Sequence, residues 1–168
     1  MNQRFFVFFL SVLMLSIVGC QGEKKPDGMP ALHKTTLTFT QDGKPLADAT
    51  ITLMPLDAAN TKWPSGGTTD SSGVLKVKTM TKYDGLPEGK YLVGVTKTET
   101  EGTAAPVESS DSPGARPAVS TQKSYYLVEK QYRLANTSGL EVEVKPGKNE
   151  KTLEVGKAVR ELIPVYTN

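Results

Sequence analysis

"SGLEVEVKPGKNEKTLEV", residues 138–155, decides the fold class. Leu140, Val142 and Val144 alternate with Glu141, Glu143 and Lys145, and Leu153 and Val155 resume the alternation after Pro146-Gly147. A side-chain period of two places the aliphatic residues on one face and the charges on the other, which is the pattern of a half-buried β-strand. Pro-Gly supplies turn chemistry, so the stretch reads as a hairpin with Leu140, Val142, Val144, Leu153 and Val155 facing inward.

The same alternation recurs upstream. "KTTLTFTQ" (34–41) sets Leu37 and Phe39 against threonines, and "TITLMP" (50–55) sets Ile51 and Leu53 on one face. "TTDSSGVLKVKT" (68–79) is a turn followed by Leu75, Val77 and Thr79 in alternation with Val74, Lys76 and Lys78. "LPEGKYLVGVTKT" (86–98) repeats the pattern with Tyr91, Val93 and Val95. Between the first two runs, "DGKPLADA" (42–49) carries Asp-Gly and a proline, both turn formers. No window holds a helical stripe, and no repeat at solenoid spacing is present. The expectation is an all-β, antiparallel Ig-like or transthyretin-like β-sandwich of about seven strands over residues 34–155, a span long enough to bury one small core.

Bulk composition agrees. The chain has 168 residues, the length of one domain with appendages. Twenty Lys+Arg against 18 Asp+Glu leave a net charge of +2, too weak a field to suggest a nucleic-acid partner. A single cysteine excludes an intramolecular disulfide.

That cysteine closes the N-terminal segment. After "MNQR" comes "FFVFFLSVLMLSIV", residues 5–18, an apolar run too short to span a bilayer comfortably. A positive start, a short apolar core and a small residue before a boundary fit a secretory signal. The boundary, "IVGC" (17–20), resembles the bacterial lipobox. That resemblance implies removal of residues 1–19, a diacylglycerol thioether on Cys20 and an acylated new N-terminus. Gln21 in place of an Asp implies, by the same resemblance, the outer membrane (periplasmic or surface face) rather than the inner membrane. Residues 20–33 then read as a lipidated N-terminus and flexible tether.

Two further segments interrupt the pattern. Residues 98–123 hold three prolines, two glycines and no large apolar side chain, and read as a long flexible loop. "SYYLVEKQYRL" (124–134) restores apolar content, and Tyr125, Tyr126, Leu127, Tyr132 and Leu134 are expected to pack across the sandwich edge. Residues 156–168 read as a C-terminal tail.

"FTQDGKPLADATITLMP", "GGTTDSSGVLKVKT" and "LPEGKYLVGVTK" together resemble the carboxypeptidase-regulatory-like domain of the transthyretin-like superfamily. With "KQYRLANTSGLEVEVKPGKNE" (130–150), the chain looks most like the small lipoproteins abundant in planctomycetes. One extra residue stands between Lys130 and Tyr132 relative to their pattern. The resemblance covers about residues 34–155 and rests on turn and core positions. It implies a fold and no activity: Gly43, Gly73, Gly89 and Gly147 meet backbone demands, and Ala49, Leu86 and Tyr91 packing demands. Related domains accompany peptidases, carbohydrate-handling systems and adhesins. Transthyretin-like hydrolases use several His and Arg residues and a Tyr-Arg-Gly-Ser terminus, whereas this chain has one His and ends "PVYTN".

Candidate chemistry is sparse. His33 is the sole histidine and lies beside the first strand, so it cannot by itself assemble a triad or metal site. Asp70 before Ser-Ser-Gly reads as hairpin chemistry, since calcium needs several carboxylates. Glu141 and Glu143 sit on a solvent face. Lys34 and Asn149 would be the pair for an isopeptide bond of the kind related adhesin domains form, although Asn149 falls in a turn. Trp63 either closes one end of the sandwich or stacks on a sugar. Trp63, Tyr125 and Tyr126 are the candidate ligand contacts. No catalytic, metal or cofactor site is expected. The functional expectation is a lipid-anchored, non-enzymatic envelope module. The alternatives are an accessory glycan- or peptide-binding protein of an uptake or degradation system and a hydrolase with an unrecognised site.

Overall fold

A computed structural model describes residues 24–103 and 122–164. The signal segment, Cys20, most of the 98–123 loop and residues 165–168 lie outside the described residues. In chain order the strands begin with β1 (Leu32–His33), β2 (Thr35–Gln41), β3 (Lys44–Pro45), β4 (Thr50–Pro55) and β5 (Ser65–Thr68). The middle supplies β6 (Val74–Lys76), β7 (Lys78–Thr79), β8 (Tyr83–Asp84), β9 (Leu86–Pro87) and β10 (Gly89–Thr96). The last are β11 (Thr98–Glu101), β12 (Lys123–Val128), β13 (Glu141–Val144), β14 (Asn149–Glu154) and β15 (Ala158–Leu162). Two short 3₁₀ turns, Ala58–Asn60 and Lys130–Arg133, complete the elements.

The protein is an all-β sandwich of mainly antiparallel sheets. One sheet has the order β13-β10-β4-β5-β7-β8. The other has the order β14-β2-β3, with β6 also paired to β2. Alternation selects the residues between them. Leu37, Phe39, Leu75, Leu153 and Val155 come from the smaller sheet and the segment following it. Ile51, Leu53, Tyr91, Val93, Val95, Val142 and Val144 come from the larger. All belong to one buried cluster. The sandwich is therefore closed by hydrophobic burial of inward faces, the dominant favourable term in folding.

Strands are shorter and more numerous than the periodicity suggests, because the chain changes sheet inside single alternating runs. Val74–Lys76 pairs with β2, whereas Lys78–Thr79 pairs with β5 in the opposite sheet. Val77 sits at the crossing, 1% exposed, and its N–H donates to Thr35 O at 3.0 Å.

The 138–155 stretch departs from the hairpin expected of it. Val142 and Val144 are buried as the alternation requires, and so are Leu153 and Val155. The two strands, however, do not pair. β13 lies antiparallel on β10, and β14 lies parallel on β2 in the other sheet. The connection is folded by Asn149, whose Oδ1 accepts from Lys145 N (3.0 Å) and whose Nδ2 donates to Lys145 O (2.8 Å). This side-chain clasp turns the chain across the sandwich edge, so the return strand meets β2. Period two specifies a strand's face and leaves its partner open.

Other assignments shift at the margins. Part of the tether is docked: β1 pairs with β9, and Tyr83 Oη donates to Lys24 O at 3.1 Å. Gly85 permits this approach, since a Cβ there would stand 2.5 Å from His33 O. Thr98–Glu101 and Lys123, at the two ends of the expected loop, are strand. Within the C-terminal tail, β15 pairs with β12. The resulting sheet, ordered β11-β12-β15, extends from the end of β10. Leu134, expected to pack, is 62% exposed and stands at the start of a turn, where its carbonyl accepts from Thr137 N and Ser138 N. Tyr132 does pack against the core.

Candidate functional site

The three aromatic candidates are not brought together. Trp63 follows the 3₁₀ turn whose N-cap, Asp57, accepts from Ala59 N through Oδ1 at 2.9 Å. Its own N–H donates to Asn60 O at 3.0 Å. The indole is only 7% exposed, with Lys62 Nζ 5.2 Å from its ring centroid. A covered ring with a cation beside it offers little face to a sugar.

Tyr125 and Tyr126 are neighbours on β12 and project to opposite faces of the small sheet. Each is stacked by an arginine of this chain. Arg160 Cζ lies 3.7 Å from the Tyr125 ring centroid, and Arg133 Cζ lies 3.9 Å from that of Tyr126. Arg160 pairs with Glu101 at 2.5 Å and Glu99 at 3.9 Å, joining β15 to β11 across the tyrosine. The Glu101 hydrogen bond is the main reason its guanidinium is held even more firmly protonated than usual. Arg133, whose side chain is 12% exposed, pairs with Glu161 and donates through Nε to Val128 O at 2.9 Å. These stacks staple the sheet together and occupy one face of each ring.

Polar candidates are likewise taken up by local structure. Asp70 Oδ1 accepts from Ser72 Oγ (2.6 Å), Ser72 N (2.9 Å) and Val74 N (3.0 Å). The Ser72 hydroxyl foremost, then Val74 N–H, hold its carboxyl below the usual carboxylate range. That is an Asx-type hairpin turn. His33 Nδ1 accepts from Gly147 N at 3.2 Å, tying β1 to the 145–149 turn. Asn149 spends its amide on the clasp described above, and its N–H donates to Lys34 O at 2.8 Å. Lys34 and Asn149 are thus backbone neighbours, with the amide already hydrogen-bonded to the chain. Glu141 and Glu143 are exposed, as their positions predict. Among the described residues, no group of three or more His, Cys, Asp or Glu converges on a metal-binding geometry.

A feature not anticipated from the sequence lies where the tether meets the sandwich. A groove of about 260 Å³ is floored by buried Thr35, Val77 and Gly85. Lys34, Lys76, Lys148 and Asp84 stand around it, with Thr36 on one wall. The sheet change at Val77 opens this gap, because β6 and β7 diverge to opposite sheets there. Its lysines come from three distant parts of the chain, so no local spacing marks them; only the topology joins them.

No protein-family model and no curated protein matches the chain. Among solved structures it is similar to a 9R-lipoxygenase from Cyanothece PCC8801, at 14% identity and a TM-score of 0.34. That match covers 80% of this chain, which spans 18% of the lipoxygenase.

Proposed function

We propose that the protein is a lipid-anchored, non-enzymatic cell-envelope lipoprotein whose β-sandwich serves as a structural or binding module. The observation that carries the reading is "IVGC" (17–20), an apolar run ending at the sole cysteine of the chain. Several long acyl chains at about 0.8 kcal/mol per buried CH₂ would hold such a protein on the membrane essentially permanently. The tether is compatible with this, since among the described residues it meets the fold at Lys24, four residues after Cys20. The non-enzymatic part is supported by the use of Asp70, His33 and Asn149 in turns and strand joints. Each of these polar groups has a structural partner that accounts for its position.

Labelled palmitate fed to cells expressing the full chain tests the anchor. Label is expected in the wild-type protein and absent from Cys20→Ser. Label persisting in the Cys20→Ser chain, or never entering the wild type, would overturn the reading.

A further inference from the structure

We propose that the groove edged by Lys34, Lys76 and Lys148 binds the phosphate of an anionic phospholipid headgroup, and so sets the sandwich with this end against the membrane. The inference rests on the lipid-anchor reading, which supplies the membrane.

Charge supports an anion. Of the four charged side chains around the groove, Asp84 is held by Lys78 at 3.2 Å and Lys148 by Glu150 at 2.5 Å. Lys34 and Lys76 have no ion-pair partner within 4 Å among the described residues, Asp70 acting on Lys76 only at longer range, so these two carry most of the groove's net positive charge. An ammonium group binds phosphate as a point charge without demanding a bidentate geometry. Thr36, partly buried on the wall, adds a hydroxyl donor.

Size and position favour a headgroup over other anions. At about 260 Å³ the groove falls just below the usual range for small-molecule sites, enough for a phosphate with its glycerol and too little for acyl chains. Lys34 directly follows β1, and Asp84 belongs to β8, whose Tyr83 holds Lys24. Four residues extended reach at most about 14 Å, so a lipid on Cys20 keeps Lys24 and its neighbours close to the bilayer surface.

Co-sedimentation of a chain starting at Gln21 with lipid vesicles is the test. That chain keeps every described residue and lacks the lipidation site. Phosphatidylcholine–phosphatidylglycerol vesicles should bind it and pure phosphatidylcholine should not. The Lys34→Ala/Lys76→Ala pair should lose about 30-fold in affinity, from roughly a tenfold or smaller loss per surface lysine. Both lysines are exposed; if that pair melts earlier than wild type, Lys34→Gln/Lys76→Gln repeats the test. The charge-matched Lys123→Ala/Lys130→Ala chain should lose under about 3-fold. Equal losses in the two pairs would mean diffuse attraction and overturn the groove, as would no binding of the unaltered chain. Displacement by inorganic phosphate at matched ionic strength would assign a soluble anion and overturn the headgroup. Because Cys20 is absent from this chain, its failure leaves the palmitate result standing, and a failed palmitate result leaves the groove's affinity measurable.

Discussion

Gly73→Ala is expected to cost at least about 3 kcal/mol and to lower the melting temperature by more than about 10 °C. Two effects add. Gly73 has φ +75°, where an alanine is strained by about 1–2 kcal/mol. Its missing Cβ also matters, because one placed there would stand 2.5 Å from Phe39 O and 2.9 Å from Leu46 N. Those atoms bond each other at 2.9 Å, and Phe39 N donates to Gly73 O at 2.8 Å. The hairpin tip is thus pressed against β2 beside a core phenylalanine, with backbone on both sides and nothing soft to yield. Gly43→Ala separates the two effects. Its φ is +69° but nothing lies within 4 Å of its Cβ, so it should cost only the strain. Thermal melts of the two variants check this; equal losses would show that the close approach at Gly73 carries no cost.

Tyr91→Ala is expected to lose about 3–5 kcal/mol, the usual cost of emptying a buried aromatic site. Tyr91 is 1% exposed, lies between Pro55 of β4 and Val142 of β13, and belongs to the core cluster. Its hydroxyl donates to Pro87 O at 2.9 Å, and Tyr91→Phe should therefore cost about 1 kcal/mol. The phenol gives a second readout. Burial first, and the Asp57 charge second, push its pKa up to about 12. The folded state then keeps its proton where the unfolded chain, near pKa 10, has lost it. This contribution is fully present below pH 10 and is lost as the pH rises towards 12, by up to about 1.4 kcal/mol per pH unit. Denaturant melts at pH 9, 10.5 and 12 should show that fall in the wild type and a smaller one in Tyr91→Phe. Identical profiles would mean the phenol titrates normally in the fold.

Much of the core was readable because alternation reports which side chains point inward. Leu37, Phe39, Ile51, Leu53, Tyr91, Val93, Val142, Val144, Leu153 and Val155 are all buried where period two puts them. Strand partnership was not readable. The Asn149 clasp sends β14 to β2, and a Pro-Gly turn gives no sign that its two strands belong to different sheets. The same blindness hid the groove, since Lys34, Lys76 and Lys148 sit on exposed positions of unrelated segments until the sheet change at Val77 joins them. Trp63 illustrates a different limit. A lone tryptophan beside Lys62 and Pro64 carries no signal of its own burial, which here depends on the turn that precedes it.

The membrane-facing role of the lysine groove presumes that the chain begins, in its working form, at a lipid-modified Cys20. Intact-mass measurement on protein extracted from the membranes of expressing cells tests that claim most directly. The account predicts loss of residues 1–19 and added mass equal to a diacylglycerol thioether plus one amide-linked fatty acid. A chain that retains residues 1–19, or one with an unmodified Cys20 thiol, would contradict it.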